Sequence, residues 1–193
     1  MPPSVILASA SPARQNLLRA AGVPFSVQPA NVDEAAIKAA NPKATMGDAA
    51  LLLAEAKALN VPGPLVIGAD QMLVCDDEWF DKPPTPAAAR AQLARLRGRT
   101  HELISAIACA RDGTIVWRHV ARARMTMRDF SDAFLDHYLA TEGAALLNSV
   151  GAYRLEGLGI QLFDQIEGPD PVILGLPLLP LLGFLRQEGV LMT

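Results

Sequence analysis

Cysteine and aromatic residues are scarce in this chain, which holds two of the former and 5% of the latter. Cys75 and Cys109 lie far apart with no CxxC spacing, which excludes a disulfide scaffold or a zinc site and fits a reducing compartment. Histidine is limited to His101, His119 and His137, without HExxH spacing, and no GxSxG turn is present, so zinc hydrolysis and a serine triad are excluded. GxxxxGK[ST] is also absent. Gly157-Leu158-Gly159 lacks the third glycine of a dinucleotide fingerprint and precedes a strand pattern, so nicotinamide and flavin cofactors are set aside. There is no excess of basic charge. At a net charge of −3 the chain has no global attraction to nucleic acid or to an anionic membrane surface. The strongest apolar run, Pro171 to Leu185, is shorter than the roughly 20 residues that span a bilayer and is broken by Pro177 and Pro180. The opening MPPSVILASAS has no basic n-region and too short an apolar run for a signal peptide, so a cytoplasmic protein is expected.

What the chain does have is a hydrophobic content of 51% over 193 residues, ample for the core of one domain. Helix-period and strand-period segments alternate without a linker, repeat or low-complexity tract, which predicts one compact α/β unit. Val5 to Leu7 reads as a buried strand, Phe25 to Val32 as a second that ends at Asp33-Glu34, and Leu65 to Ala69 as a third that ends at Asp70. Met72 to Cys75 is its extension towards an Asp76-Asp77 turn. Thr45 to Asp48 is a capping-box pattern before a helix through Leu59 that is apolar nearly all round. Pro86 to Leu96 and Ser131 to Ala140 read as further helices, and Gly98 closes the first of them. Asp112-Gly113 joins Leu103–Arg111 and Thr114–Met127 as a hairpin. Arg118, Arg122 and Arg124 share one face of its second strand, read as solvated. Gly157 to Ile166 is expected to be a late strand, and Val172 to Leu174 a strand before a helix that opens at Pro177.

The clearest chemistry lies in VILASASPARQ, Val5 to Gln15. A buried strand breaks at Ser-Ala-Ser-Pro, Ser11 is placed as an N-cap and Pro12 as the first helical residue. Free backbone N–H groups and the positive end of a helix dipole favour an anion there, with the hydroxyls of Ser9 and Ser11 beside them. A capping box would put Glu or Gln where Arg14 stands. A cation at that end is unfavourable by itself, which makes sense if an anion occupies the site. Asp70 follows the apolar run LVIGA where a strand leaves the core. Glu34 follows another strand, Lys82 lies in a loop before two prolines, and Lys57 projects from a largely apolar helix. Each of these charges must find a partner if buried. Taken singly each reads as a structural ion pair; taken with the serine-lined helix end they read as a phosphate site.

These motifs, in this order, resemble the Maf proteins, nucleoside triphosphate pyrophosphatases of the inosine-triphosphatase-like superfamily. ILASASPARQNLL is similar to the family's opening S-x-S-P-R-R segment, NVDE to its V-D-E, and LAEAKA to its A-x-x-K-A helix. VIGADQ resembles the strand that carries its catalytic aspartate, DKP its lysine loop and LRGRTHE its glycine turn. GAYRLEGLG and ILGLP complete the order nearly end to end. The resemblance implies one domain over 1–193, with a mixed twisted sheet flanked by helices and a central cleft between two lobes. It implies hydrolysis of a nucleoside triphosphate to monophosphate and pyrophosphate, with Asp70 as the catalytic carboxylate, either general base or metal ligand. Ser9, Arg14, Glu34, Lys57 and Lys82 would bind phosphate or metal. Glu34 and Asp70 would hold Mg²⁺ or Mn²⁺. The resemblance also implies a homodimer, while the net charge and the short, proline-broken apolar run lead to the expectation of no nucleic-acid or membrane partner.

For the base, the resemblance singles out three positions. Gln71 and Glu156, together with GLGIQLF and EGPDP, resemble the subgroup that hydrolyses 7-methyl-GTP. Ala13 departs from both common patterns, standing where that subgroup usually has Trp and much of the family has Arg. A carboxylate such as Glu156 can accept hydrogen bonds from a guanine edge, but without the aromatic the stacking contribution of about 1–3 kcal/mol is missing. The competing expectation is a non-catalytic nucleotide-binding regulator associated with cell division, since a scaffold does not establish an activity. Against it stands the joint presence of Asp70, Glu34, Lys57 and Lys82, which a pure binder would not require.

Overall fold

The computed structural model describes residues 4–193; Met1–Pro3, the start of the stretch that lacks a basic n-region, lie outside them. Strand β1 (Val5–Leu7) pairs in parallel with β2 (Phe25–Val27) and with β3 (Leu65–Cys75). Central parallel strands are covered on both faces, which is why VIL and LVIGA run apolar without alternation. The remaining strands are β4 (Glu78–Phe80), β5 (Thr100–Arg111), β6 (Thr114–Met127) and β7 (Phe163–Glu167). Their hydrogen-bonded order is β2-β1-β3-β5-β6-β7, with β4 also on β3. The β3–β4 and β6–β7 pairs are antiparallel, so the sheet is mixed, as expected. The α-helices are α1 (Pro12–Ala20), α2 (Glu34–Ala40), α3 (Met46–Asn60), α4 (Pro86–Leu96), α5 (Asp132–Glu142), α6 (Asp170–Ile173) and α7 (Leu178–Gln187), and 3-10 turns cover Gly143–Asn148, Val150–Ala152 and Leu158–Leu162. Among the described residues no helix is long and apolar enough to cross a membrane.

The chain divides into two compact units, the first made of residues up to Gln71, Ile104–Arg122 and Pro169–Thr193. Its core gathers Leu7, Leu18, Ile67, Ile107, Leu181 and Leu185. Helix α3 starts with the expected capping box, in which Thr45 Oγ1 accepts from the Asp48 N–H and Asp48 accepts from the Thr45 N–H. Its buried residues are mostly small, Ala49, Ala50, Ala54 and Ala58 beside Leu53, so its backbone lies close to β3. Gly68 makes that approach possible. A Cβ there would collide with the Ala54 carbonyl and lie 2.6 Å from the Ala58 nitrogen.

The second unit comprises Met72–Leu103 and Ala123–Gly168. The Asp76-Asp77 turn leads from β3 into β4, a strand that the sequence reading did not place, with both aspartates at positive φ (50° and 64°). Leu135 and Tyr138 form the buried side of α5, with Phe134 and Leu139 partly covered. His101 is buried against Tyr153, its Nε2 within 2.9 Å of the tyrosine hydroxyl. Burial pushes His101 down to about 4, so at neutral pH it is an uncharged core residue. In the first unit, the hairpin between β5 and β6 turns at Asp112 and Gly113 (φ 47° and 78°) as predicted. Arg118, Arg122 and Arg124 are exposed, in line with a solvated face. In the first unit Arg118 pairs with Glu55.

Three expectations about local structure are corrected. Strand β2 ends at Val27, not Val32, because Pro29 supplies no N–H to a ladder. The acidic pair therefore opens α2 and does not close a strand: Asp33 is its N-cap, accepting from the Ala36 N–H at 2.9 Å, and Glu34 is its first residue. The strand expected over 157–166 begins only at Phe163. Leu158–Leu162 winds as a 3-10 helix, with Glu142 taking the Leu158 N–H and Gly159 packed against the Arg154 carbonyl where a side chain would clash. Val172 and Ile173 belong to a helical turn, α6, and not to a strand. Pro171 sits in its first turn, where a missing N–H costs nothing and a fixed φ helps.

Gly68→Ala is expected to lower stability by about 1–3 kcal/mol through overpacking of β3 against α3, measured by urea unfolding. A variant as stable as the parent would show that α3 does not depend on this close approach.

Candidate functional site

The strand-to-helix junction forms as expected. Ser11 caps α1, its hydroxyl accepting from the Arg14 N–H, and Ser9 Oγ accepts from the Ser11 N–H at 3.3 Å. Both hydroxyls keep their own O–H to donate elsewhere. No acidic residue occupies the first turn of α1, so the positive end of the helix is not offset by its own side chains.

Arg14 does not need an anion to account for its place. Its Nε donates to the Gly175 carbonyl at 2.8 Å, and Nη1 donates to the Ala69 carbonyl at 2.8 Å and to Ser9 Oγ at 3.2 Å. The side chain thus ties α1 to β3 and to the loop after α6. Nη2 carries two further N–H donors. Burial pushes the guanidinium below its ordinary value while Asp70 and Glu34 pull it upward, and it remains a cation.

Asp70 is the buried carboxylate of this unit. Lys57 Nζ lies 2.6 Å from Asp70 Oδ1 and 2.7 Å from Glu34 Oε1, so three residues predicted separately meet at one point. Exposure grades outward, with side chains 9% exposed at Asp70, 12% at Lys57 and 48% at Glu34. Burial raises the Asp70 carboxyl above its ordinary value, against the opposing pull of Lys57 and Arg14. Ser9, Arg14, Glu34, Lys57 and Asp70 therefore form one connected group within the first unit.

Gln71 faces away from Asp70, because successive strand residues alternate. Its amide nitrogen lies 3.0 Å from Ser105 Oγ and 3.0 and 2.9 Å from the carbonyls of Val172 and Ile173. Ser105 Oγ donates to the Val172 carbonyl at 2.7 Å, so it receives from Gln71. This fixes the amide with its nitrogen turned to α6. Ser105 was not singled out from the sequence; the available signal was one hydroxyl inside the apolar run LISAIACA. Ala13 lies in the first turn of α1. In the second unit, Lys82 is exposed in the loop between β4 and α4, and Glu156 is exposed in the turn after Tyr153.

Among the described residues no cluster of three or more His, Cys, Asp or Glu is poised for a metal. Glu34 and Asp70 nonetheless converge on a single cationic atom. Two carboxylates with the remaining positions left to water and phosphate is the way hard divalent cations such as Mg²⁺ are held in nucleotide sites. The donor set fits such an ion.

The chain as a whole is similar to known proteins. The Maf-like protein family profile matches residues 4–188. A nucleoside triphosphate pyrophosphatase of Paramagnetospirillum magneticum is 54% identical over 192 residues, covering 96% of this chain and 99% of its own. A 7-methyl-GTP pyrophosphatase of Brucella abortus is 50% identical over 190 residues, covering 95% of this chain and 96% of its own. A solved dITP/XTP pyrophosphatase of Mycobacterium abscessus shares 17% identity at TM-score 0.42 over 66% of this chain and 75% of its own, too distant to carry an argument.

Arg14→Lys replaces a planar fork by a point charge that cannot reach Gly175, Ala69 and Ser9 together. Stability is expected to fall by about 1–3 kcal/mol in urea unfolding, from buried carbonyls left without donors. A loss below about 0.5 kcal/mol would show that these bonds are not structural.

Proposed function

Because the chain belongs to the Maf-like protein family, we propose that it is a nucleoside triphosphate pyrophosphatase, a hydrolase of the α–β phosphoanhydride bond in which the whole chain acts as one catalytic domain. The observation that carries this reading is the buried Asp70, ion-paired to Lys57, which also pairs with Glu34, in the unit that also carries the serine-lined start of α1. The names of relatives at about half identity over nearly the full chain support the enzyme over the division-associated regulator.

In this mechanism a water oxygen attacks the α-phosphorus, and the bond from that phosphorus to the bridging oxygen of the β-phosphate breaks. Asp70 orients the water and accepts its proton, and pyrophosphate leaves with the bonding pair. The departing group gathers negative charge, which the cationic side chains of Lys57 and Arg14 offset. Ser9 and the N–H groups at the start of α1 hold phosphate oxygens in line. Mg²⁺ or Mn²⁺, held by Glu34 and Asp70, supplies Lewis-acid stabilisation of the phosphate oxygens when bound.

The substrate class that fits best is a modified or non-standard nucleotide, with 7-methyl-GTP the leading candidate. The likeness of Gln71 and Glu156 to that subgroup's motifs supports it, as does the 50% identity to a relative named 7-methyl-GTP pyrophosphatase. A 7-methylguanine ring is cationic, and a carboxylate such as Glu156 suits both that charge and the donor edge of guanine. Ala13 leaves the ring without an aromatic partner at that position, so weaker selection of the methylated base is expected than in a relative carrying Trp. A cytoplasmic setting, supported by the free thiols of Cys75 and Cys109, and a homodimer belong to the same reading.

The test is pyrophosphate release from a panel of standard and modified triphosphates with Mg²⁺ or Mn²⁺, for the parent and for Asp70→Asn. The parent is expected to turn over at least one of them, and Asp70→Asn to lose about 10²–10⁴-fold in kcat with an unchanged circular dichroism spectrum. Activity of the variant close to the parent's would remove Asp70 from the mechanism, and nucleotide binding without pyrophosphate release would favour the regulator.

A further inference from the structure

Asp70 Oδ1 and Glu34 Oε1 lie 2.6 and 2.7 Å from the same nitrogen, so the Lys57 ammonium stands where the two carboxylates converge. They are also the two acids assigned to the divalent cation. Arg14 is near enough for its charge to act on both of them. Two acids and two bases sum to zero formal charge, so the group is neutralised from within. A bare dication added to it would face an ammonium in contact with both of its ligands, at a place where two of the three side chains are largely shielded from water. Repulsion between like charges is strong there. A triphosphate reverses the balance, since its oxygens offer Lys57 and Arg14 new partners. Lysine suits such an exchange, being a compact charge on a flexible four-carbon stem.

We propose that Lys57 is a built-in counter-cation that keeps Glu34 and Asp70 from binding free divalent metal, and that it yields them only when triphosphate oxygens take over its ammonium. The inference rests on the pyrophosphatase reading for its second half and on the geometry alone for its first. Metal and nucleotide then bind with positive coupling, each tightening the other by the same factor. Lys57 would thereby do two things in turn, pairing the carboxylates in the free protein and the phosphate chain in the complex.

Binding of Mn²⁺, followed by its electron paramagnetic resonance signal, tests this with the parent, Lys57→Met and Lys57→Gln, each with and without an uncleavable α,β-methylene triphosphate. The parent is expected to bind Mn²⁺ at least about tenfold more tightly with the analogue than without it. Lys57→Met is expected to bind Mn²⁺ alone at least about tenfold more tightly than the parent does, with the dependence on nucleotide reduced. Equal Mn²⁺ binding by the parent with and without an analogue that it takes up would overturn the proposal, as would a folded Lys57→Met with no gain. If Lys57→Met does not fold, Lys57→Gln supplies the same comparison, and the parent measurements stand alone. Failure of the pyrophosphatase reading has a different signature: no uptake of the analogue and no pyrophosphate release by the parent, while the Lys57→Met gain in Mn²⁺ alone still decides the role of the lysine.

Discussion

Everything in the candidate site depends on keeping one carboxylate charged inside the protein. Asp70 is largely buried, and burial disfavours its ionised form; Lys57 and Arg14 oppose that penalty. The opposition works only if both cations are held close. Arg14 is held by backbone carbonyls of Ala69 and Gly175, so it is positioned by the strand that carries Asp70 itself. Lys57 is held by the approach of α3 to β3, which Gly68 and the small residues of α3 permit. Removing side-chain bulk from a core lowers its hydrophobic contribution, and here that loss secures the reach of a lysine to an aspartate.

An internal ion pair of this kind is often structural only, and breaking one is costly whether or not chemistry occurs there. Two features set this one apart. The pair is open on one side, since Glu34 is about half exposed and completes a graded path from solvent to Asp70. Ser9, buried beside Arg14, adds a hydroxyl from the start of a helix whose first turn carries no acid. A charged cluster built only for stability would be satisfied without an anion-favouring helix end tied to it by the same arginine.

Much of this was legible in the sequence because it rests on local rules. Ser11-Pro12 marked a helix start, Thr45 and Asp48 a capping box, and Asp112-Gly113 a hairpin, each through contacts within a few residues. The corrections fall where distant partners decide. Val172-Ile173 has strand-like side chains, yet proline at the first turn and the amide of Gln71 on its carbonyls make it a helical end. The chain from Leu158 to Leu162 follows Glu142 and the close approach of Gly159, neither of which has a local pattern. Helix α2 has no buried residue and so left no periodic stripe to find. At the site, the residue types were readable and the convergence of Glu34, Lys57 and Asp70 was not, because contacts between residues so far apart in sequence are set by how β3, α2 and α3 pack.

The most direct test of the central claim is the fate of solvent oxygen during turnover. Hydrolysis of 7-methyl-GTP, or of the best substrate in the panel, in ¹⁸O-labelled water should place one labelled oxygen in the nucleoside monophosphate and none in pyrophosphate, as read by mass spectrometry. Label in pyrophosphate or inorganic phosphate would mean attack at another phosphorus, and would contradict the assignment of Asp70 and its neighbours to the α–β bond.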